Sequence, residues 1–129
     1  MRKQYHFRSS EKGLLSWDVD RLIELSRDLP IKTISLDIIN EFNDVYWYGL
    51  GENNGDERPT CKNIAEHAKL IKETDLKFPI ILSVDGRVMD GMHRVCKAYI
   101  EGMNTIEVVQ FNNDPDPDFV GKYPGDLPY

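Results

Sequence analysis

A chain of 129 residues, 40% of them hydrophobic, is long enough to bury a modest single core without disulfides or metal. Its formal net charge of −6 excludes a protein whose main task is non-specific binding to DNA or to an anionic membrane, because clustered Lys and Arg carry that attraction. Half of the excess lies in residues 112–129, where Asp114, Asp116, Asp118 and Asp126 stand against Lys122 alone, so a small basic pocket elsewhere is compatible with the balance.

The first thirteen residues, "MRKQYHFRSSEKG", lack an apolar signal core, and no run approaches the roughly 18 apolar residues that a membrane span needs. Two cysteines, Cys61 and Cys96, show neither CxxC nor Cys/His ligand spacing, so no disulfide framework or zinc site is expected and a reducing compartment is. A cytoplasmic protein is the expectation.

From Ser16 the pattern "SWDVDRLIELSRDLP" sets Val19, Leu22, Ile23, Ser26 and Leu29 on one side at helical spacing, after a capping residue and before Pro30. "KTISLDII" is β-branched and half alternating, which predicts a short strand from about Thr33 to Leu36. "NEFNDVYWYGLGENNGDERPT" leads from an aromatic cluster into a long Gly/Asn/Asp/Pro-rich loop, a kind of segment that is often functional or mobile. Thr60 can cap a second helix, "CKNIAEHAKLIKETD", whose apolar stripe is expected at Ile64, Ala68 and Ile71. "FPIILSV" is a continuous apolar run of strand length, the pattern of a central strand, and Asp85-Gly86 predicts a tight turn that returns "RVM" as a brief partner. A third helix runs from about Gly91 to Glu101 and stops at Gly102; "TIEVVQF" reads as a last strand. The Pro/Asp-rich remainder shows no periodicity, although Phe119, Tyr123 and Tyr129 suit docking. The chain is thus one domain over 1–111, its core over 31–111, with an acidic Pro-rich extension over 112–129.

"DGMHR", residues 90–94, carries the chemistry. On a helical projection Met92, Val95, Cys96 and Tyr99 take one side, and His93, Arg94, Lys97 and Glu101 the other. Asp90 stands where an N-cap belongs, and Gly91 lets the backbone approach another group closely. The amides of Gly91, Met92 and His93 would then bear the positive end of the helix dipole, a geometry that binds anions. Arg94 adds a planar fork suited to phosphate, and Lys97 lies one turn on. A plain structural alternative stands beside this: Asp90 caps the helix, Arg94 pairs with Glu101 or a neighbour, and His93 is solvated.

The stretch "PIILSVDGRVMDGMHRVCKAYIEGMNTIEVVQF" resembles the core of the ParB/sulfiredoxin superfamily, and "TCKNIAEHAKLIKETDL" resembles the helix that precedes it. Together they cover roughly residues 60–111. The resemblance implies an α+β fold, a small mixed sheet flanked by helices, with a phosphate or nucleotide site where the third helix begins. Met92 stands where sulfiredoxins carry their catalytic cysteine, and Cys96 falls on the apolar side, so sulfiredoxin chemistry is not expected. No helix-turn-helix or dimerisation segment follows the resembling stretch, and direct DNA binding is not expected.

A third branch, similar to free serine kinases, keeps an Asp-Gly-x-His-Arg loop and draws a glutamate base from just after the first strand. By that resemblance Gly91, His93 and Arg94 would hold the transferring phosphate, Asp90 would bind Mg²⁺ or orient the loop, and Glu41, with Asp37 as second choice, would accept the substrate proton. An exposed loop acid is the alternative for Glu41. His67, Trp47 and Arg58 are further pocket candidates, with a hydrogen-bonded boundary histidine, an anchoring aromatic and a solvated arginine as their plain alternatives. The expected function is therefore binding of a phosphate-bearing molecule, most simply ATP, ADP or CTP with Mg²⁺, extended to phosphotransfer onto a small hydroxylated molecule. A non-catalytic nucleotide-binding module, regulatory or partition-related, is the competing expectation.

Overall fold

A computed structural model describes residues 3–48 and 57–129; the Gly/Asn-rich part of the long loop, 49–56, and the first two residues lie outside the described residues. The fold is α+β, with two sheets and three α-helices.

The chain opens with a hairpin that the sequence reading did not anticipate. β1 (Tyr5–Ser10) pairs antiparallel with β2 (Gly13–Asp18), and Gly13 takes a positive φ of 102° at the turn. Ser16 and Trp17, expected at the start of the first helix, are strand residues facing Phe7 and His6. The helix α1 (Val19–Ser26) begins only after Asp18, whose carboxylate accepts from the Asp20 amide.

β3 (Lys32–Ser35) follows, and Leu36–Ile38 and Asn40–Asn43 form two 3-10 turns. α2 (Cys61–Glu73) is capped by Thr60, whose hydroxyl accepts from the Asn63 amide at 3.1 Å. β4 (Ile80–Leu82), β5 (Val88–Asp90), α3 (Met92–Ile100), β6 (Thr105–Gln110) and the two-residue β7 (Phe119–Val120) complete the order. The Asp85-Gly86 turn forms as expected, with the Gly86 amide donating to the Ser83 carbonyl at 3.0 Å.

The four-stranded sheet has the order β3-β6-β4-β5, parallel between β4 and β6 and antiparallel elsewhere. Ile80, Leu82, Val88 and Val108 join Met92, Val95 and Ala98 of α3 in one buried cluster. Their neighbours Ile81, Met89 and Val109 join Trp17, Leu22 and Phe111 in the other. Successive strand residues point to opposite faces, so the sheet is buried on both, and this is why "PIIL" is apolar without alternation.

Three local expectations are overturned. The stripe Ile64, Ala68, Ile71 does not make the inner face of α2: Ile64 is 53% exposed, Ala68 is exposed, and His67 is the buried residue of the helix. The helix is turned so that His67 meets polar partners on α3. Asp90 does not cap α3; it ends β5, and Gly91 is the N-cap in a left-handed conformation without a side-chain hydrogen bond. On α3 the buried line runs through Met92, Val95 and Ala98, while Tyr99 is 63% exposed.

The acidic tail docks on the hairpin. β7 pairs with β2, the Trp17 indole donates to the Pro115 carbonyl at 2.8 Å, and the Asp118 carboxylate accepts from the Asp18 amide at 2.8 Å and from Arg21 at 3.1 Å. The Tyr5 hydroxyl donates to the Pro128 carbonyl. Among the described residues no helix is long and apolar enough to cross a membrane.

Candidate anion site at the start of the third helix

β5 delivers the chain to Gly91, and Gly91 turns it into α3. Only glycine serves at this point. Its φ is +114°, and a Cβ would lie 2.6 Å from Ile80 Cγ2 and 2.8 Å from Arg94 Nη2. The first-turn amides of a helix have no acceptor within it, and the N-cap residue here, Gly91, has no side chain to cap them. A cavity of about 840 Å³ opens at this point, with Asp90, Gly91, His93 and Arg94 on one wall, α2 on a second and the hairpin on a third.

Arg94 lies along that wall. Its Nη2 donates to Asp90 Oδ2 at 3.0 Å and, at 3.4 Å, to the Pro79 carbonyl; both side chains of the ion pair are about five-sixths buried, at 15% and 16% exposure. Arg94 Nε is buried and meets no acceptor among the described residues. The pairing with Asp90 is i,i+4 in spacing, one residue of it strand and the other helix, so the alternative partner Glu101 plays no part.

His93 belongs to a chain of polar contacts that runs off α3 onto α2. His67 Nδ1 is 2.8 Å from His93 Nε2, and His67 Nε2 is 3.0 Å from Glu57 Oε1, which also accepts from Asn63 Nδ2 at 2.6 Å. Trp47 covers both imidazoles, its ring stacked 4.2 Å from His67 and 4.6 Å from His93. His67 and Trp47 both border the cavity, and Glu57 and Asn63 complete the cluster. Neither of the latter carries a local signal, because the chain of contacts joins a loop, α2 and α3 only in the folded protein.

The remaining candidates fall elsewhere. Lys97 donates to the Lys72 carbonyl at 3.1 Å and the Thr74 carbonyl at 2.6 Å, closing the C-terminus of α2 rather than facing the cavity. Arg58 is exposed and does not line the cavity; its carbonyl accepts from the Thr60 amide at 2.8 Å. Met92 is 4% exposed and its side chain packs in the core, so it offers the site no polar side-chain group. Glu41 accepts from the Val88 amide through Oε1 and does not line the cavity. Tyr46 donates to the Val88 carbonyl at 2.9 Å, and burial, followed by the charges of Glu41 and Asp90, holds its phenol well above the usual tyrosine range. Burial likewise raises the Cys96 thiol, which leaves little thiolate at neutral pH.

Comparison with protein-family models, curated proteins and solved structures finds no match. The reading of the site therefore rests on its own geometry. Among the described residues no group of three or more His, Cys, Asp or Glu side chains could hold a metal ion, and Asp90 is committed to Arg94. The far wall of the cavity carries His6. Its Nε2 is 3.5 Å from Arg8 Nη2, and burial, then the Arg8 and Arg87 charges, push its pKa down to about 3.

Proposed function

We propose that the chain binds a phosphate-bearing molecule, a nucleotide such as ATP, ADP or CTP, at Gly91 to Arg94, and passes a phosphoryl group to a small hydroxylated acceptor. The observation that carries this is Arg94 Nε, a buried guanidinium donor that meets no acceptor among the described residues, beside a helix start whose N-cap glycine has no side chain to cap it and which borders a cavity of about 840 Å³. Leaving such a donor unmet costs on the order of 1–3 kcal/mol, which an anionic oxygen would relieve. The helix dipole adds a favourable field over the same position.

Asp20, Glu66, Glu73 and Asp75 also line the cavity and oppose a naked polyphosphate. Mg²⁺ suits that setting as a companion of the nucleotide, since it is commonly held by substrate phosphates and water with one or two carboxylates rather than by a protein cage. The proposal includes a ParB/sulfiredoxin-like ancestry for residues 60–111 and a cytoplasmic site of action, consistent with two free thiols.

Glu41 is withdrawn as proton acceptor, because its carboxylate is engaged at the Val88 amide and borders another part of the fold. That engagement is the one observation favouring the non-catalytic nucleotide-binding module. Calorimetric titration with ATP, ADP and CTP in the presence of Mg²⁺, followed by turnover assays with and without hydroxylated amino acids, separates the readings. Saturable binding with acceptor-dependent turnover supports the transferase, saturable binding without turnover supports the module, and no binding refutes both.

A further inference from the structure

Resting on the nucleotide reading of the site, we infer that Phe78 is the platform on which the base of that nucleotide stacks. The segment "TDLKFP", residues 74–79 between α2 and β4, divides its two large apolar side chains between the core and the cavity. Asp75 starts a turn, its carboxylate accepting from the Lys77 amide at 3.0 Å and its carbonyl from the Phe78 amide at 3.4 Å. Leu76 packs against the buried cluster of the sheet and α3. Phe78, which the following proline biases away from a helical backbone, is left 56% exposed and borders the cavity.

Position separates this ring from a scattered surface hydrophobe, which calls for no explanation. The Pro79 carbonyl, one residue on, accepts from Arg94 Nη2 at 3.4 Å, and standard backbone dimensions then put Phe78 Cα within about 10 Å of the guanidinium. A single ribose separates the base of a nucleotide from its first phosphate, so one ligand can reach both. The other aromatic rings of the cavity are already engaged. Trp47 is stacked on His67 and His93, Tyr46 packs against the core and donates to the Val88 carbonyl, and Tyr5 lies against Phe7 and Tyr129 on the hairpin side. Over the Phe78 ring stands the Lys77 ammonium, 5.4 Å from the centroid, and one ammonium occupies one face of a ring that has two.

Charge decides which end of the ligand goes where. Glu73 and Asp75, close to Phe78 in the chain, also line the cavity and repel phosphate, whereas a neutral base meets no such penalty. The phosphates are then left to Gly91 and Arg94, and the base to Phe78. Every base has a π-face, so the ring supplies affinity for ATP, ADP and CTP alike without choosing among them.

Calorimetric titration with ATP and with inorganic tripolyphosphate, each with Mg²⁺, isolates the contribution of the base. Phe78→Ser should weaken ATP and CTP binding about 10- to 100-fold, the range expected when a stacking platform is lost, and leave tripolyphosphate within about twofold. Phe78→Trp, which restores a larger ring, should keep ATP within about threefold of wild type. Both substitutions replace a largely exposed side chain, and thermal unfolding checks that the variants are folded. In spectra of the wild-type protein the Phe78 ring protons should shift with ATP and stay in place with tripolyphosphate. The stacking inference is overturned, with the anion site left standing, if wild type binds ATP no tighter than tripolyphosphate or if Phe78→Ser keeps its ATP affinity. Equal losses of both ligands in Phe78→Ser, or ATP binding as weak in Phe78→Trp as in Phe78→Ser, also overturn it. Wild-type protein that binds neither ligand overturns the site reading beneath it and the inference together.

Discussion

Replacing His6 by Gln should flatten the acid side of the stability curve. In the folded protein His6 is 6% exposed, lies against the Trp17 ring at 5.6 Å, and its Nε2 faces the Arg8 guanidinium, a group that can only donate. Protonation would therefore create a buried cation against Arg8, with Arg87 also near and Asp85 the single opposing charge, and the pKa is held at about 3 from an ordinary 6.5. Because the folded value is depressed below the unfolded one for a base, the unfolded chain binds the extra proton first. Stability is full above pH 6.5 and is lost as the pH falls towards 3. Between pH 6 and pH 4 the linkage is on the order of 2–3 kcal/mol, a large share of the 5–15 kcal/mol typical of a domain. The depressed carboxylates Asp18 and Asp85 act on the same side but in a lower window, below their ordinary value of 3.8. Urea unfolding of wild type and His6→Gln at half-unit intervals over pH 6 to 4 reads the difference directly. Glutamine keeps an acceptor for Arg8, so the variant should fold. Two parallel curves would refute the placement of a neutral histidine behind that guanidinium.

Other consequences follow from single contacts. Gly91→Ala should be destabilised by about 2–3 kcal/mol or more in urea and Gly86→Ala by about 1, since both have positive φ but only the former meets Ile80 and Arg94. Leu22→Ala should lose about 3 kcal/mol, because this 1%-exposed side chain sits between α1 and the sheet. Lys97→Met should lose about 1–2 kcal/mol of stability by freeing the α2 carboxyl end while leaving nucleotide affinity unchanged; a tenfold loss of affinity would return Lys97 to the anion site.

The sequence pattern carried the central part of the fold well and the periphery poorly. "PIIL", Asp85-Gly86, Thr60 and Gly102 each act through local chemistry, and each lies where its chemistry puts it: a doubly buried strand, a tight turn, a hydroxyl cap and a helix stop at positive φ. The N-terminal hairpin carries little local signal, because "YHFRSS" and "GLLSWD" alternate only partly, and β7, the other partner of β2, is two residues long and about 100 positions away. Tail docking depends on Asp118 and the Pro115 carbonyl, groups whose role exists only after Trp17 and Arg21 have been brought beside them. The same limit applies at the site. The helix-start geometry of Gly91 and the proximity of Arg94 follow from adjacency in the chain, whereas the place of Asp90 does not, because an aspartate capping a helix and an aspartate ending a strand look alike in sequence. Glu57 and Asn63 reach His67 across a loop, so no periodicity announces them.

The central claim is that the opening turn of α3 and the guanidinium beside it receive an anion. Amide and Arg Nε–H spectra recorded during a titration with ATP and Mg²⁺ address it at the level of single groups. The account predicts that Gly91, Met92, His93 and Arg94 amides and the Arg94 Nε–H shift together along one saturating curve. Arg94→Lys, which keeps the charge but removes the fork and Nε, should weaken the interaction about 10- to 100-fold. Shifts confined to other surfaces, or an unchanged dissociation constant in Arg94→Lys, would contradict it.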